Sequence, residues 1–256
     1  MTELKNLRFG KVDDVARITF ARPKHNVLNI EMIKELNTVL EEIIADNELK
    51  CVVIFAEGPS WCAGVDVGDH KPDVAEKMME AFDRIFELIG QINIPTIAAV
   101  HGACLGGGME VAIACDIIVA AKKASFGQPE IKLGFLAPYA ALRLPSLVGP
   151  AKTIEVCTTG KIYTAEEAQS MGFVTYTVED DKLTEKVDKL VAEIQACSPL
   201  IIRFNKQAVK QHLGMAFPKA VNSINDFFLN KLMKSEDTLE GIKSFEEKRK
   251  PVWQNK

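Results

Sequence analysis

The sequence predicts an α/β fold that is built around parallel strands. In the first half of the chain, short runs of β-branched and apolar residues alternate with amphipathic segments, which is the pattern of α/β proteins. Two of these runs, Cys51–Ala56 and Thr96–Val100, are apolar on both faces, as expected of parallel strands that are covered on both sides. Beyond about residue 150 the pattern is mostly helical. We therefore predict a β-rich core followed by a helical C-terminal region.

The predicted elements follow one another without an internal repeat or a long linker. Strands are expected at Val15–Phe20, Cys51–Ala56, Thr96–Val100 and Ile117–Ala120, with helices at 30–47 and 73–92. Later helices are expected at Ala151–Thr159, Ala165–Met171, Lys182–Ala196, Pro199–Leu213, Lys219–Met233 and Glu236–Lys248, broken only by a short strand at Phe173–Val178. We assign residues 1–195 to the core and residues 196–256 to the helical region. The apolar stripe of this region should pack on the core or on a partner subunit; it includes Phe227, Phe228, Leu229 and Leu232.

Composition limits the classes of function. The chain has 256 residues, of which 47% are hydrophobic and 26% are charged, as in an ordinary globular protein with one sizeable core. Its net charge of −4 gives no general attraction to a nucleic-acid backbone, so we expect no nucleic-acid partner. No secretory signal and no run of about eighteen apolar residues is present, which predicts a cytoplasmic protein without a membrane partner.

The cysteine and histidine patterns argue against a metal site. The six cysteines form no C-x-x-C pair, which is typical of reduced, buried thiols in a cytosolic protein. The four histidines lack ligand spacing such as H-E-x-x-H. We therefore expect neither a metal ion nor a disulfide. His101 could be read as a base, but a structural histidine at the end of a buried strand is the better interpretation.

A glycine-rich segment carries the densest chemical signal. Residues His101–Glu110 follow the predicted strand Thr96–Val100 and contain the adjacent glycines Gly106, Gly107 and Gly108 before an apolar stretch. A strand, a glycine loop and a helix start in this order place outward-facing N–H groups at the positive end of a helix dipole. Such a site suits an oxyanion or a phosphate, and a tight structural turn is the alternative. The spacing matches neither a P-loop nor a dinucleotide-binding motif.

A second turn, Gly58–Asp66, leaves the predicted strand Cys51–Ala56 in a similar way. Loops at the C-terminal ends of parallel strands are where α/β proteins bind ligands. One backbone N–H group from each loop could together polarise a carbonyl group. Asp66 is either a helix cap or a residue with direct chemistry, and both interpretations stay open.

Two glutamates are candidates for proton transfer. Glu110 follows the glycines and precedes an apolar stretch, so its carboxyl group should face a poorly hydrated cleft that raises its pKa. Glu130 lies between apolar neighbours after Gly127 and Pro129. Addition or removal of water requires one carboxyl group as an acid and another as a base. Each glutamate taken alone is more often a solvated or salt-bridged side chain.

Together these segments resemble the crotonase superfamily of enoyl-CoA hydratases and isomerases over essentially the whole chain. The resemblance rests on Arg22–Asn29, Trp61–Asp66, Ile97–Gly102, Leu105–Glu110, Cys115–Ile118, Phe126–Glu130 and Phe245–Pro251. It implies a crotonase-type spiral of ββα turns with a helical C-terminal trimerisation region, assembled as a homotrimer or a homohexamer. It also implies an acyl-CoA substrate, with coenzyme A as part of that substrate and no separate cofactor.

The resemblance also implies roles for individual residues. The backbone N–H groups of Val65 and Gly107 would form an oxyanion hole for the thioester oxygen. Phe245 and Lys248 would reach the nucleotide part of CoA that is bound to a neighbouring subunit. The rest of the CoA site would be lined by Lys24, His25, Val27, Ala63, Val65 and Asp66.

Glutamates at both Glu110 and Glu130 are typical of the hydratases that this chain resembles, whereas the isomerases generally keep only one. By the resemblance, Glu110 orients or deprotonates a water molecule and Glu130 exchanges the proton at the α carbon. This implies a hydro-lyase of the enoyl-CoA hydratase type. An isomerase or a thioester hydrolase with one carboxylate is the enzymatic alternative, and a catalytically silent or RNA-binding relative is the non-enzymatic one.

One segment departs from the pattern of typical hydratases. Their G-x-x-P-x-x-G-G-T-Q-R stretch is replaced here by Gly134–Arg143, which is one residue shorter and lacks the Gly-Gly-Thr-Gln. That stretch borders the acyl pocket in the family, so Phe135, Leu136 and Tyr139 argue against a straight-chain substrate. The segment is similar to that of hydratases that act on cyclic dienoyl-CoA esters in anaerobic aromatic degradation. Hydration of a cyclic dienoyl-CoA and of an ordinary enoyl-CoA both stay open.

Overall fold

The computed structural model describes residues 4–256. In this part of the chain the strands are β1 (Leu7–Val12), β2 (Val15–Phe20), β3 (Cys51–Ala56), β4 (Thr96–Val100), β5 (Ala103–Leu105), β6 (Ile117–Ala121), β7 (Ser125–Gly127), β8 (Ile162–Thr164) and β9 (Tyr176–Val178). The α-helices are α1 (Ile30–Ile44), α2 (Ala75–Gln91), α3 (Gly107–Ala114), α4 (Pro138–Val148), α5 (Pro150–Thr159), α6 (Ala165–Met171), α7 (Leu183–Gln195), α8 (Pro199–His212), α9 (Phe217–Asn230) and α10 (Glu236–Glu246). Short 3₁₀ turns lie at Val67–His70, Pro129–Leu133, Asp180–Lys182 and Leu232–Lys234. None of these described helices is both long and apolar enough to cross a lipid bilayer.

The strands form two sheets. A six-stranded sheet has the order β1-β2-β3-β4-β6-β9, in which β1 and β2 are antiparallel and the other neighbours are parallel. A three-stranded sheet has the order β5-β7-β8. Consecutive turns of the chain place one strand in each sheet and then a helix: β4, β5 and α3 form one such turn, and β6, β7 and α4 form the next. The predicted spiral of ββα turns is therefore confirmed.

The large sheet is covered on both faces, as the apolar strands predict. Alternate residues of β3 face opposite layers, because successive side chains of a strand point to opposite sides. Val52 and Ile54 pack in the layer that α1 and α2 cover, whereas Cys51 and Val53 pack in the layer that contains Val187 of α7. Both layers bury their apolar side chains almost completely, so the ends of β3 and β4 are held rigidly.

The polar residue Asn29 determines where α1 begins. Its side-chain oxygen accepts a hydrogen bond from the backbone N–H of Met32 at 3.0 Å, which satisfies one of the free N–H groups of the first turn. The helix then presents Met32, Ile33 and Leu36 to the core. Its direction therefore follows from one cap and one apolar face.

Several short elements differ from the prediction. The strands predicted at Val15–Phe20, Cys51–Ala56 and Thr96–Val100 have the predicted bounds. The expectation of only one strand beyond residue 150 was wrong. This part of the chain contains β9, which pairs with β6 in the larger sheet, and also β8, which pairs with β7 in the smaller sheet. Strands β1, β5 and β7 and helix α4 were not predicted either. Strands of three residues are too short to show a periodic pattern, and only their pairing partners define them.

The C-terminal helices carry little buried surface of their own. Helix α9 contains no buried residue, and Phe228 and Leu229 are largely exposed. Helix α8 is tied to the core by an ion pair between Lys206 and Asp116 and by Ile202, which packs against the core. The predicted boundary at residue 195 lies where α7 ends, just before α8.

Candidate active site

A cavity of about 570 Å³ opens beside the C-terminal ends of β3 and β4. It contains both predicted glutamates and both predicted oxyanion residues. Its lining residues are Ala63, Gly64, Val65, Val67, His70, Ala75, Met78, Met79, Phe82, Gly106, Gly107, Glu110, Pro129, Glu130, Lys132, Leu133, Phe135, Leu136 and Pro138. Most of these side chains are apolar, and the charged or polar exceptions are Glu110, Glu130, His70 and Lys132.

The two loops that follow β3 and β4 are hydrogen-bonded to each other. The N–H of Cys62 donates to the carbonyl of Ala103 at 3.1 Å, and the N–H of Leu105 donates to the carbonyl of Cys62 at 3.0 Å. A further bond from the N–H of Leu28 to the carbonyl of Gly64, at 2.8 Å, fixes the far end of the first loop. The two loops therefore hold one relative position, which is what a site assembled from both of them requires.

The three adjacent glycines each make room for a different neighbour. A Cβ atom on Gly106 would lie 2.3 Å from Oε1 of Glu130, and one on Gly107 would lie 2.5 Å from Cγ2 of Val65. A Cβ atom on Gly108 would lie 2.3 Å from the carbonyl oxygen of Cys62. Glycine is therefore needed at these three positions, because a carboxyl group, a loop side chain and a backbone carbonyl approach them closely. A simple tight turn does not account for these contacts.

The N–H groups of Val65 and Gly107 lie side by side and are free. The position that a Cβ atom would take on Gly107 is 3.5 Å from the nitrogen of Val65. Within residues 4–256, neither N–H group donates to another backbone or side-chain acceptor. Gly107 is the first residue of α3, so its N–H lies at the positive end of the helix dipole. The pair can therefore receive an oxygen atom that gains negative charge.

Glu110 lies in the first turn of α3 and is only 2% exposed. Burial raises the pKa of its carboxyl group to about 7, and the nearby charge of Glu130 adds to the increase. A hydrogen bond from the N–H of Ala140, at 2.8 Å to Oε1, works in the opposite direction by stabilising the ionised form. The predicted poorly hydrated environment of Glu110 is confirmed.

Glu130 faces the same cavity from the 3₁₀ turn Pro129–Leu133. Burial raises the pKa of this carboxyl group as well, while a hydrogen bond from its own backbone N–H lowers it. The charge of Glu130 contributes to the raised pKa of Glu110, so the two carboxyl groups lie within electrostatic reach of each other. Two neighbouring carboxyl groups that share protons can supply an acid and a base together.

Two polar residues of this site were missed by the sequence analysis. Gln128 is fully buried, and with its amide nitrogen turned toward Glu130 it donates to both carboxyl oxygens, at 3.2 and 3.1 Å. His70 lines the cavity on the opposite loop. Gln128 stands two residues before Glu130, where a short-range polar contact could have been sought, whereas nothing in the sequence around His70 places it here.

Only some of the residues predicted to bind CoA line the cavity. Ala63 and Val65 line the cavity. Lys24 and His25 are exposed on the loop beside it, where the carbonyl of His25 accepts a hydrogen bond from the N–H of Ala63 at 3.0 Å. The carbonyl of Val27 accepts one from Arg22 at 2.7 Å.

The remaining predicted contacts lie elsewhere. Asp66 caps the turn Val67–His70 by accepting from the N–H of Gly68 at 2.9 Å, so its helix-cap interpretation is confirmed. Phe245, which is 86% exposed, and Lys248 lie outside the cavity lining. Their predicted contact with CoA on a neighbouring subunit stays a prediction.

Of the three residues predicted to form the acyl pocket, two line the cavity. Phe135 and Leu136 line it. Tyr139 does not, because its ring stacks on Phe86 with the centroids 3.7 Å apart and the planes 6° from parallel. Across residues 4–256, no group of three or more His, Cys, Asp or Glu side chains has the arrangement of a metal site.

Comparison with known proteins agrees with this geometry. A family model described as enoyl-CoA hydratase/isomerase matches residues 10–256. The cyclohexa-1,5-dienecarbonyl-CoA hydratase of Thauera aromatica is 33% identical over 94% of this chain and 93% of its own length. The short-chain-enoyl-CoA hydratase of Clostridium acetobutylicum is 32% identical over 97% of each chain.

Solved structures lead to the same family. An enoyl-CoA hydratase from Mycobacterium smegmatis is similar with a TM-score of 0.92 and 25% identity, over 98% of this chain and 99% of that one. An enoyl-CoA hydratase from Bacillus anthracis is similar with a TM-score of 0.90 and 27% identity, over 98% and 100% of the two chains. Because the family model and these relatives all cover nearly the whole sequence, the chain belongs to the enoyl-CoA hydratase/isomerase family and is an enzyme of the enoyl-CoA hydratase type.

Proposed function

We propose that the protein adds water across a double bond conjugated to a CoA thioester, with Glu110 and Glu130 as the catalytic residues. The observation that carries this proposal is a pair of carboxyl groups, Glu110 buried and Glu130 half-buried, both with raised pKa, in one largely apolar cavity beside two free N–H groups. In such a cavity one carboxyl group can take a proton from water while the other gives a proton to carbon. An isomerase needs only one of these carboxyl groups.

The free N–H groups of Val65 and Gly107 would hold the thioester oxygen. When water attacks the conjugated double bond, negative charge moves onto that oxygen and an enolate forms. Two N–H donors and the positive end of α3 stabilise this charge more than they stabilise the neutral thioester. Removing one such donor typically lowers the rate by about 10²–10³-fold.

A glutamate pair that holds one proton serves both directions of the reaction. In hydration, ionised Glu110 takes a proton from the attacking water, and protonated Glu130 gives its proton to the α carbon. In elimination, ionised Glu130 takes the α proton and protonated Glu110 gives a proton to the departing hydroxyl group.

For the acyl group we propose a cyclic dienoyl-CoA. Phe135 and Leu136 form an apolar wall at the place where typical hydratases of the family carry a glycine-rich stretch. Flat apolar surfaces suit a compact ring better than a long flexible chain, since the ring loses less conformational entropy on binding. A relative named for hydration of such a ring is 33% identical to this chain.

The direct test offers two substrates in parallel, crotonyl-CoA and cyclohexa-1,5-diene-1-carbonyl-CoA, and follows the mass increase of one water. We expect rapid hydration of the cyclic diene and slow hydration of crotonyl-CoA. A preference for crotonyl-CoA would contradict the cyclic substrate but keep the hydratase. Hydration of neither, by a folded protein, would contradict the hydratase proposal for these substrates.

The roles of the two glutamates can be separated with a saturated acyl-CoA. Butyryl-CoA has an α proton but cannot add or lose water, so its exchange in D₂O requires only the group that acts at the α carbon. We expect Glu110→Gln to retain this exchange and Glu130→Gln to lose it, while both variants lose hydration by about 10²–10⁴-fold. The opposite pattern of exchange would reverse the assigned roles.

A further inference from the structure

One polar side chain of the cavity has no part in the chemistry proposed so far. His70 ends the turn Val67–His70, close in sequence to Val65, and is half-buried in the cavity wall together with Glu130 and Phe135. The surrounding lining is mostly apolar. A polar nitrogen in such a wall is costly unless it finds a hydrogen-bond partner.

The contacts of His70 determine which ring nitrogen is available. Nδ1 lies 2.9 Å from the backbone carbonyl oxygen of Asp66. A carbonyl oxygen only accepts hydrogen bonds, so Nδ1 carries the proton of the neutral ring and donates it to Asp66. Nε2 has no hydrogen-bond partner within residues 4–256, which leaves it as a free acceptor.

The ring is also held in place. The carboxyl group of Asp66 accepts from the N–H of Gly68 at 2.9 Å, and the carboxyl group of Asp69 accepts from the N–H of Ile30 at 2.9 Å. The ring packs against that of Phe135 with the centroids 4.9 Å apart. Because the turn and the ring are already ordered, a ligand that bonds to Nε2 need not order them on binding.

His70 and Glu130 line the same cavity, and Phe135, against which the His70 ring packs, lines it as well. The ring therefore stands in the cavity that holds the carboxyl groups of the proposed reaction. The reacting end of the acyl group must occupy the same region. In the hydrated product this end carries a hydroxyl group, which is a hydrogen-bond donor.

We propose that Nε2 of His70 accepts a hydrogen bond from the hydroxyl group of the hydrated acyl chain, and from the water molecule before it is added. The inference rests on the proposed hydration, because only that reaction brings a hydroxyl group to this place. It makes His70 a residue that distinguishes hydroxyacyl from acyl groups. A histidine that only packs against Phe135 would not make this distinction.

The test measures binding of 3-hydroxybutyryl-CoA and butyryl-CoA by calorimetry. Every protein in the series carries Glu130→Gln, so that no elimination occurs during the measurement. The series consists of that protein alone and with His70→Phe or His70→Gln. Phenylalanine keeps the ring but removes the acceptor, whereas glutamine offers an amide oxygen near the position of Nε2.

With His70 present, we expect 3-hydroxybutyryl-CoA to bind roughly 3- to 10-fold more tightly than butyryl-CoA, which is the scale of one hydrogen bond. His70→Phe should abolish this preference without weakening butyryl-CoA, and His70→Gln should restore part of it. Equal weakening of both ligands by His70→Phe, or an unchanged preference, would overturn the inference.

The same series separates this inference from the proposed function. If the native protein hydrates its substrate but the His70→Phe variant keeps the hydroxyl preference, the proposed function stands and the inference about His70 is wrong. If the native protein hydrates neither test substrate but the hydroxyl preference depends on His70, the contact of His70 stands and the hydratase proposal is wrong.

Discussion

Glu110 combines a chemical advantage with a cost in stability. Its pKa of about 7 lies well above the ordinary value of 4.5, because burial disfavours the ionised form. Above pH 7 the folded chain must ionise a buried carboxyl group that the unfolded chain ionises freely. The raised pKa therefore costs the folded chain on the order of 3 kcal/mol of stability above pH 7.

We therefore expect Glu110→Gln to raise the free energy of unfolding at pH 8 by roughly 1–3 kcal/mol. The amide oxygen of glutamine can still accept the bond from the N–H of Ala140. The gain should shrink as the pH falls toward 5, since the raised pKa costs nothing once the unfolded carboxyl group is also protonated. Urea unfolding at both pH values measures it.

An exposed glutamate provides the control for this measurement. Glu31 lies at the surface, where its pKa is lowered by a hydrogen bond and ion pair with Lys5. Glu31→Gln should change stability little at either pH, because exposed ion pairs contribute little. A Glu110→Gln variant that is less stable than the native protein at pH 8 would contradict the assignment of a costly buried charge.

At the scale of elements, the start of α3 places the glycine loop directly against the carboxyl group of Glu130. Gly106 has a φ of +53° and directly faces the carboxyl group of Glu130. A methyl group at this position must displace Glu130, since the two would lie 2.3 Å apart. The close approach of loop and carboxyl group is therefore part of the site and not only of the fold.

We expect Gly106→Ala to lower kcat for hydration by about 10²–10⁴-fold, the usual contribution of a positioned acid or base. Gly149→Ala is the matched control, because Gly149 also has a positive φ, +78°, but a Cβ atom there would meet nothing within 4 Å. Both variants should lose about 1–3 kcal/mol of stability through backbone strain. Equal activity losses in steady-state assays of the two folded variants would show that strain, and not Glu130, is responsible.

At the scale of the whole molecule, the C-terminal helices leave an apolar surface uncovered. Phe217, Phe228 and Leu229 of α9 are all substantially exposed, although single soluble chains rarely leave large apolar patches open to water. Neighbouring copies of the chain are the partner that the family resemblance implies. We propose that these helices pack between subunits of a trimer or hexamer.

Light scattering after size exclusion tests this assembly. We expect the native chain to have the mass of three or six copies, and the double variant Phe228→Lys with Leu229→Lys to form smaller species, because it places charge in the interface. Val12→Lys, which changes a similarly exposed residue of β1, should leave the mass unchanged. A native chain with the mass of one copy would contradict the proposal.

The assembly also bears on CoA binding. Phe245 and Lys248 lie outside the cavity of their own chain, and the family resemblance implies that they contribute to the CoA site of a neighbouring subunit. Weaker binding of CoA by the smaller species than by the Val12→Lys control would support that contribution.

The sequence by itself determined the features that depend on local pattern. The apolar strands β2, β3 and β4, the main helices and the glycine loop followed from residue periodicity and from the conformational freedom of glycine. The buried position of Glu110 followed from its place between glycines and an apolar stretch. Such features can be predicted because each depends on residues that are close together in the chain.

The tertiary structure decided everything that depends on residues distant in the chain. The strands β5, β7 and β8 exist only through their mutual pairing, and Tyr139 of α4 stacks on Phe86 of α2. Gln128 donates to the carboxyl group of Glu130, and His70 lines the same cavity as that carboxyl group. No local pattern specifies these contacts, because burial and electrostatic interaction act through space and are set only when the loops and helices have packed around the cavity.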